Sequence, residues 1–249
     1  MEVHHHPKHS DKPRKYKEYL FEFLVIFIAI IGSFFAENIR EHNIERHREK
    51  EYMRSMLQDL RTDSANLTSI IAKNKQQISG LDSLLGVMNN KLTGEELKQF
   101  YILDLKYTLN YNALNPVNRT ISQLMNTGGL SLIKKKNVSD GIVGYNEVIL
   151  VVLKQTELLE NRFTKILDQQ SDIVDLQEIV RLKHGSPIQQ LTEFPDLLTS
   201  DKKTLHSYYF NIISFKGAID AYTQRLREVL KQNMMLFELI RKEYRLKDM

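Results

Sequence analysis

The sequence contains no cysteine and no tryptophan, and only 10 glycines and 5 prolines among its 249 residues. Without cysteine the chain cannot form disulfides, thiolate metal sites or a cysteine nucleophile. The scarcity of glycine and proline leaves few turn signals, and long runs rich in Leu, Ile, Lys, Glu and Gln favour helices over strands. The composition therefore predicts an all-α protein.

Charge is unevenly distributed along the chain. The formal net charge is +4 at pH 7, and residues 1–18, a basic and His-rich tail, carry five Lys and Arg against three acids. The remainder is nearly balanced and shows no basic face of the kind that nucleic-acid binding requires. We therefore expect no nucleic-acid partner.

One long apolar segment lies near the N-terminus. FLVIFIAIIGSFFA, residues 23–36, carries no charge. Counted from Tyr19, the apolar segment 19–36 makes about 27 Å of helix, close to the hydrocarbon thickness of a bilayer. It is apolar on all sides, unlike an amphipathic surface helix. We predict a single transmembrane anchor over 19–36, with the lipid bilayer as its partner.

Two alternatives to an anchor remain open. A cleaved signal peptide needs small residues at positions −3 and −1, whereas cleavage after Ala36 places Phe34 at −3 and cleavage after Ser33 places Ile31 there. A buried core helix of a soluble protein also accommodates 14 uncharged residues, although such a helix on a surface would show a polar stripe.

Helical periodicity dominates the rest of the chain. Apolar residues recur at helical spacing from Met53 to Met88, which predicts that the anchor continues into a long amphipathic, coiled-coil-like helix. The Thr93–Glu96 capping box opens a second helix, and Gly128–Gly129 ends a short one. Domain 37–249 is therefore predicted to be an elongated helical bundle; its long helices cover about 37–90, 137–182 and 201–247.

Two segments resemble a known family. They are YLFEFLVIFIAIIGSFFAENIREH, residues 19–42, and ISQLMNTGGLSLIKKKNVSDGIVGYNE, residues 121–147. The chain resembles a bacterial, chiefly bacteroidete, family of single-pass membrane proteins with an all-helical domain of unknown function. The resemblance implies a membrane-anchored helical domain and supplies no catalytic residues.

Orientation is predicted from the flanking charges. Residues 37–54 carry five Lys and Arg, but five glutamates alternate with them, whereas the tail is less neutralised. The resemblance to a bacterial family implies the inner membrane as the location. Because Lys and Arg are enriched in cytoplasmic flanks, we expect the N-terminus to be cytoplasmic and the helical domain to be periplasmic.

Polar and small residues of the first helix are the candidate sites. Glu22 lies in the first apolar turn, and a carboxylate at membrane depth marks an ion or proton pathway or a subunit contact, unless it reaches the headgroups. Small residues allow close helix–helix contact in membranes; here they are Ala29, Gly32, Ser33 and Ala36. Asp63, Asn74 and Gln77 interrupt the apolar stripe, which predicts a buried polar register between helices, or else a ligand cleft.

The leading hypothesis is a membrane-anchored interaction or sensor module that forms a homo-oligomer and binds a protein or small ligand. The alternative is an oligomeric ion-conducting or motor-stator component that uses Glu22. No phosphate-binding glycine loop, nucleophile elbow, HExxH motif or dinucleotide fingerprint occurs. The sequence therefore predicts no enzyme, cofactor or metal site.

Overall fold

A computed structural model describes residues 16–183, 185 and 187–246. These residues form helices and no strand, as the composition predicted. The helices are α1 (Tyr16–Met88), α2 (Glu95–Tyr107), α3 (Arg119–Asn126), α4 (Lys136–Gln170), α5 (Leu176–Lys183) and α6 (Lys202–Tyr244), with 3-10 turns at Gly129–Leu132 and Ile188–Gln190. Most of the predicted tail, residues 1–15, lies outside the described residues.

The chain divides into two compact units, a first unit of Met1–Glu51 and a second unit of Tyr52–Met249. In the first unit α1 is long and apolar enough to cross a membrane, and none of its most apolar 18-residue window is buried. Phe34 is 73% exposed and Ile30 is 64% exposed. Beyond the apolar segment, Arg40 and Glu37 form a solvent-exposed ion pair at 2.5 Å, of the kind that supports a helix in water.

The second unit is built on three long helices, namely residues 52–88 of α1, α4 and α6. Contacts between α1 and α6 follow opposite chain directions: Leu60–Asn233, Asn74–Thr223 and Asp82–Lys216. Contacts between α4 and α6 do the same: Lys135–Glu243, Tyr145–Asn233 and Gln169–Ser207. The helices α1 and α4 are therefore parallel to each other, and α6 is antiparallel to both.

The core of this unit consists of the facing apolar stripes of these helices. Fully buried members include Leu60, Leu67, Leu81, Ile142, Val152, Ile166, Ile212, Phe215 and Leu226. Full burial of one such side chain stabilises the fold by about 1.5–3 kcal/mol relative to leaving it exposed. The periodicity that predicted the helices is thus the pattern that holds the unit together.

Because α1 and α4 are parallel, the connection between them returns along the bundle. The helix α2 covers the first part, and residues 108–118 then run without regular secondary structure; we call them the strap. Gly128 follows Thr127, the C-cap of α3. It has φ 71° in the left-handed region, where glycine is favoured, so the helix stops there. The predicted stop at Gly128–Gly129 is confirmed.

The prediction of one helix over 137–182 was wrong. The helix α4 ends at Gln170, and α5 begins only at Leu176. The intervening turn allows the adjacent residues Ile173 and Val174, 0% and 2% exposed, to enter the core together. The carboxylate of Asp175 then accepts the N–H of Glu178 at 2.9 Å and caps α5.

Helix starts were predicted with mixed success. Asp201 caps α6, since its carboxylate accepts the N–H of Thr204 at 2.9 Å, as expected at a start near 201. The capping box at Thr93–Glu96 does not form: Gly94 occupies the N-cap of α2 with φ 57° and no side-chain cap bond. Because Gly94 is the N-cap, Thr93 lies one residue too early for its hydroxyl to cap the helix.

Candidate functional site

The small residues of the anchor lie on one side of α1. Glu22, Ala29 and Ala36 are spaced by seven residues, which keeps them on nearly one helix face. The Ser33 hydroxyl donates to the Ala29 carbonyl at 2.8 Å and is therefore satisfied within the helix. A Cβ added to Gly32 would meet nothing within 4 Å. The face is open in a single chain, and its predicted role in helix–helix contact stays a prediction, as does the role of Glu22.

The polar residues that interrupt the stripe of α1 are all buried. Asp63 and Asn74 are 1% exposed, and Gln77 is 4% exposed. The Gln77 amide donates to the carbonyls of Tyr107 and Asn110, at 2.9 and 2.7 Å. These acceptors belong to the end of α2 and to the strap, so Gln77 holds the strap rather than another long helix.

Asp63 contacts both the strap and another long helix. One carboxylate oxygen accepts the N–H of Val117 in the strap at 2.8 Å, and the other accepts the hydroxyl of Tyr145 in α4 at 3.0 Å. Asn233 of α6 donates to the same Tyr145 oxygen at 3.2 Å. Burial raises the pKa of Asp63, while its bonds from Val117 and Tyr145 lower it in part.

Asn74 completes the set. Its amide donates to the Thr223 hydroxyl of α6 at 2.9 Å, and its oxygen accepts from Asn112 of the strap at 3.0 Å. Farther along, the Tyr222 hydroxyl accepts the N–H of Leu114 at 2.9 Å. Backbone groups that an irregular segment turns toward the interior must find partners, and side chains of the long helices supply them for Asn110, Leu114 and Val117 of the strap.

Asp59 is a further buried polar residue of α1, and the sequence analysis did not identify it. It is 3% exposed and accepts the N–H and the hydroxyl of Thr120, at 3.0 and 2.5 Å, and a guanidinium N–H of Arg119 at 2.8 Å. It thereby holds the start of α3. Its position four residues before Asp63, on the same helix face, was a signal that could have found it.

We expect the Gln77→Ala substitution to loosen the strap. It removes the hydrogen bonds to the carbonyls of Tyr107 and Asn110, and each such bond contributes about 0.5–1.5 kcal/mol. Amide hydrogen exchange in peptides from residues 108–118 should accelerate by at least about tenfold, since 1.4 kcal/mol corresponds to that factor.

The matched control is Gln58→Ala, which changes the same residue type on an exposed position of α1. Exchange in the strap should remain at the wild-type rate in this variant. Equal strap exchange rates in the Gln77 and Gln58 variants would contradict the strap-holding role.

A third buried carboxylate, Asp104, joins three helices. It is 0% exposed on α2. It accepts the Tyr208 hydroxyl of α6 at 2.6 Å and the Gln170 amide of α4 at 2.5 Å. Burial raises its pKa to about 6, and the hydrogen bonds from Tyr208, Gln170 and Thr108 offset part of that rise.

The sequence analysis did not single out Asp104. It follows Leu97, Phe100 and Tyr101 at helical spacing, so it occupies a position of the buried stripe of α2. An acid at such a position is the same signal that marked Asp63 in α1.

Asp104 makes stability depend on pH. Its carboxyl has a higher pKa when folded, about 6, than the ordinary aspartate value of 3.8. The folded state therefore holds the proton more tightly, and stability falls as pH rises from about 4 through 6. A rise of this size corresponds to about 3 kcal/mol. Subtracting the unfolding free energy of Asp104→Asn from that of the wild type at each pH isolates this residue from Asp63 and others. That difference should drop by about 2–2.5 kcal/mol between pH 4 and 7, whereas a flat difference would contradict the shift.

An open cleft of about 940 Å³ lies in the second unit where α1 ends and α6 begins. One side is residues 88–93, from the last residue of α1 into the loop before α2. The other side is formed by residues near 196–200 and the first two turns of α6, up to Tyr209. Its size lies within the range of small-molecule sites, about 300–1,000 Å³. The sequence analysis did not predict it, because its two sides are over 100 residues apart.

Comparison with known proteins gives no match among family models, curated proteins or solved structures. Within residues 16–183, 185 and 187–246, no group of three or more His, Cys, Asp or Glu side chains is placed to hold a metal ion. Function is therefore inferred from the geometry of the chain's own residues.

Proposed function

We propose that the protein is a membrane-tethered recognition module. Residues 19–36 span a membrane, and the second unit binds a protein or a small ligand beside it. The observation that carries the proposal is that no residue in the apolar window of α1 is buried, although a compact all-helical unit with its own core follows it in the sequence.

The physical support is that residues 23–36 are more stable in the hydrocarbon of a bilayer than in water. Ten of these residues are large apolar side chains that are 38–73% exposed, and leaving such a side chain in water rather than in an apolar medium costs up to about 1.5–3 kcal/mol. A bilayer removes this cost, and a helix satisfies its own backbone hydrogen bonds there. The proposal places the protein in the bacterial inner membrane, with a cytoplasmic N-terminus and a periplasmic second unit. The flanking charges support this orientation.

Protease treatment of intact spheroplasts tests the orientation. A periplasmic second unit is cleaved under these conditions, and the same unit is protected if it is cytoplasmic. Protection in intact spheroplasts together with cleavage after detergent lysis would overturn the proposed topology.

Self-association through the anchor is the second part of the proposal. The face of Ala29, Gly32, Ser33 and Ala36 is open and made of small residues, which favour close helix contact in lipid. The chain has no cysteine. Any disulfide that forms in a single-cysteine variant therefore involves the introduced residue. In oxidised membranes Ala29→Cys should form disulfide-linked dimers.

The matched control is Ile31→Cys, two residues along the helix and therefore about 200° away around its axis. It should stay largely monomeric. Monomer alone at both positions, or equal dimer yields at both, would contradict association through the small-residue face.

A further inference from the structure

We propose that the cleft at the α1–α6 end of the second unit binds a small organic anion with an apolar body. The inference deepens the proposed recognition role by naming the ligand class, and it rests on that role only in placing the ligand in the second unit. Three features of the cleft support it: its charge, its apolar walls and the state of the α6 N-terminus.

The charge of the cleft is positive. Lys91 and Lys202 line it from opposite sides, and Asp196 is the single acidic residue among its lining residues. In the part of the chain that the structure describes, neither lysine has an ion-pair partner. His206 also lines the cleft. Two ammonium groups on facing walls attract one anionic group.

The walls between these charges are apolar and firmly held. The residues concerned are half-buried and pack against the core of the unit: Met88, Leu92, Leu197, Leu205 and Tyr209. A wall fixed in this way is largely pre-formed, as small-molecule sites usually are. An anion without an apolar body would leave this surface in contact with water. The occupant that fits both features has a charged head and an apolar body.

The N-terminus of α6 does not supply the anion site. The carboxylate of Asp201 already accepts the N–H and the hydroxyl of Thr204 there, at 2.9 and 2.8 Å. The attraction must therefore come from the lysine side chains, so it should be sensitive to their charge and to salt.

The test is titration calorimetry of 2-naphthoate into full-length protein in lipid nanodiscs, with empty nanodiscs subtracted. Saturable binding of 2-naphthoate is expected, with weaker binding of the uncharged 2-naphthalenemethanol. The double charge reversal Lys91→Glu/Lys202→Glu should weaken naphthoate binding by at least about tenfold, since it replaces attraction by repulsion.

The matched control is Lys203→Glu, an exposed neighbour on the same turn of α6 that does not line the cleft. It should bind naphthoate like the wild type. Absence of saturable binding, equal affinity for the alcohol, or equal affinity in the double reversal and in the wild type would each overturn the inference. Membrane insertion is measured in separate experiments. Absence of naphthoate binding would therefore not contradict the membrane anchor, and absence of membrane insertion would not change the meaning of the binding result.

Discussion

Replacing Ile28 and Ile31 by arginine is expected to abolish stable membrane insertion. Both residues lie in the uncharged stretch 23–36, near the middle of the predicted span. An arginine at the centre of a membrane helix costs about 2.5–3.5 kcal/mol on insertion scales, so two cost about 5–7 kcal/mol when summed. Flotation of membranes on a sucrose gradient should leave most of the double variant at the bottom.

The control places the same two substitutions at Ile39 and Ile44. These residues are exposed on the same helix but lie beyond Ala36, where charged residues already alternate with them. This variant should float with the membranes as the wild type does. Flotation of the Ile28/Ile31 variant at wild-type yield would show that the stretch does not depend on an apolar solvent.

Replacing Asp104 by alanine is expected to destabilise the second unit by about 3 kcal/mol at pH 5, below the folded pKa of about 6, where its carboxyl is mostly protonated. The substitution leaves the Tyr208 hydroxyl and the Gln170 amide buried without their acceptor, and each orphaned donor costs about 1–3 kcal/mol. For a domain of this size the melting temperature should fall by about 6–12 °C. Thermal unfolding followed by far-UV circular dichroism measures the change.

Asp82→Ala is the control for loss of a carboxylate. Asp82 pairs with Lys216 on the surface, where its side chain is 54% exposed, and such pairs contribute about 0–1 kcal/mol. Its melting temperature should stay within about 4 °C of the wild type. Equal melting temperatures for the two aspartate variants would contradict the assignment of Asp104 as the buried link between α2, α4 and α6.

Helix identity was readable from the sequence because it is a local property. The stripe from Met53 to Met88 has helical period, and the uncharged stretch before it has the length of a membrane span; both are set by neighbours along the chain. Asp63, Asn74 and Gln77 were readable as buried for the same reason, since they occupy positions of the stripe.

The partners of those polar residues were not readable. Asn74 bonds to Thr223, a contact that depends on the antiparallel packing of α1 and α6. The strap has neither helical nor strand periodicity, so its path along α1 is set by side-chain bonds from distant residues. A register role between helices is only part of what the structure shows: the same residues satisfy the backbone of the strap.

Gly80 illustrates the same limit. A glycine inside a helix costs about 1 kcal/mol relative to alanine, and the sequence offers no reason for it. In the structure an added Cβ would lie 2.3 Å from the ring of Tyr107, at the end of α2. The glycine therefore makes room for a side chain 27 positions away, which only the folded arrangement reveals.

Extraction of isolated membranes with alkaline carbonate, without detergent, tests most directly whether α1 is held by the hydrocarbon of a bilayer. A spanning helix keeps the full-length, uncleaved protein in the membrane pellet, and only detergent moves it to the supernatant. Recovery of that full-length polypeptide in the carbonate supernatant would contradict the membrane tether on which the proposed function depends.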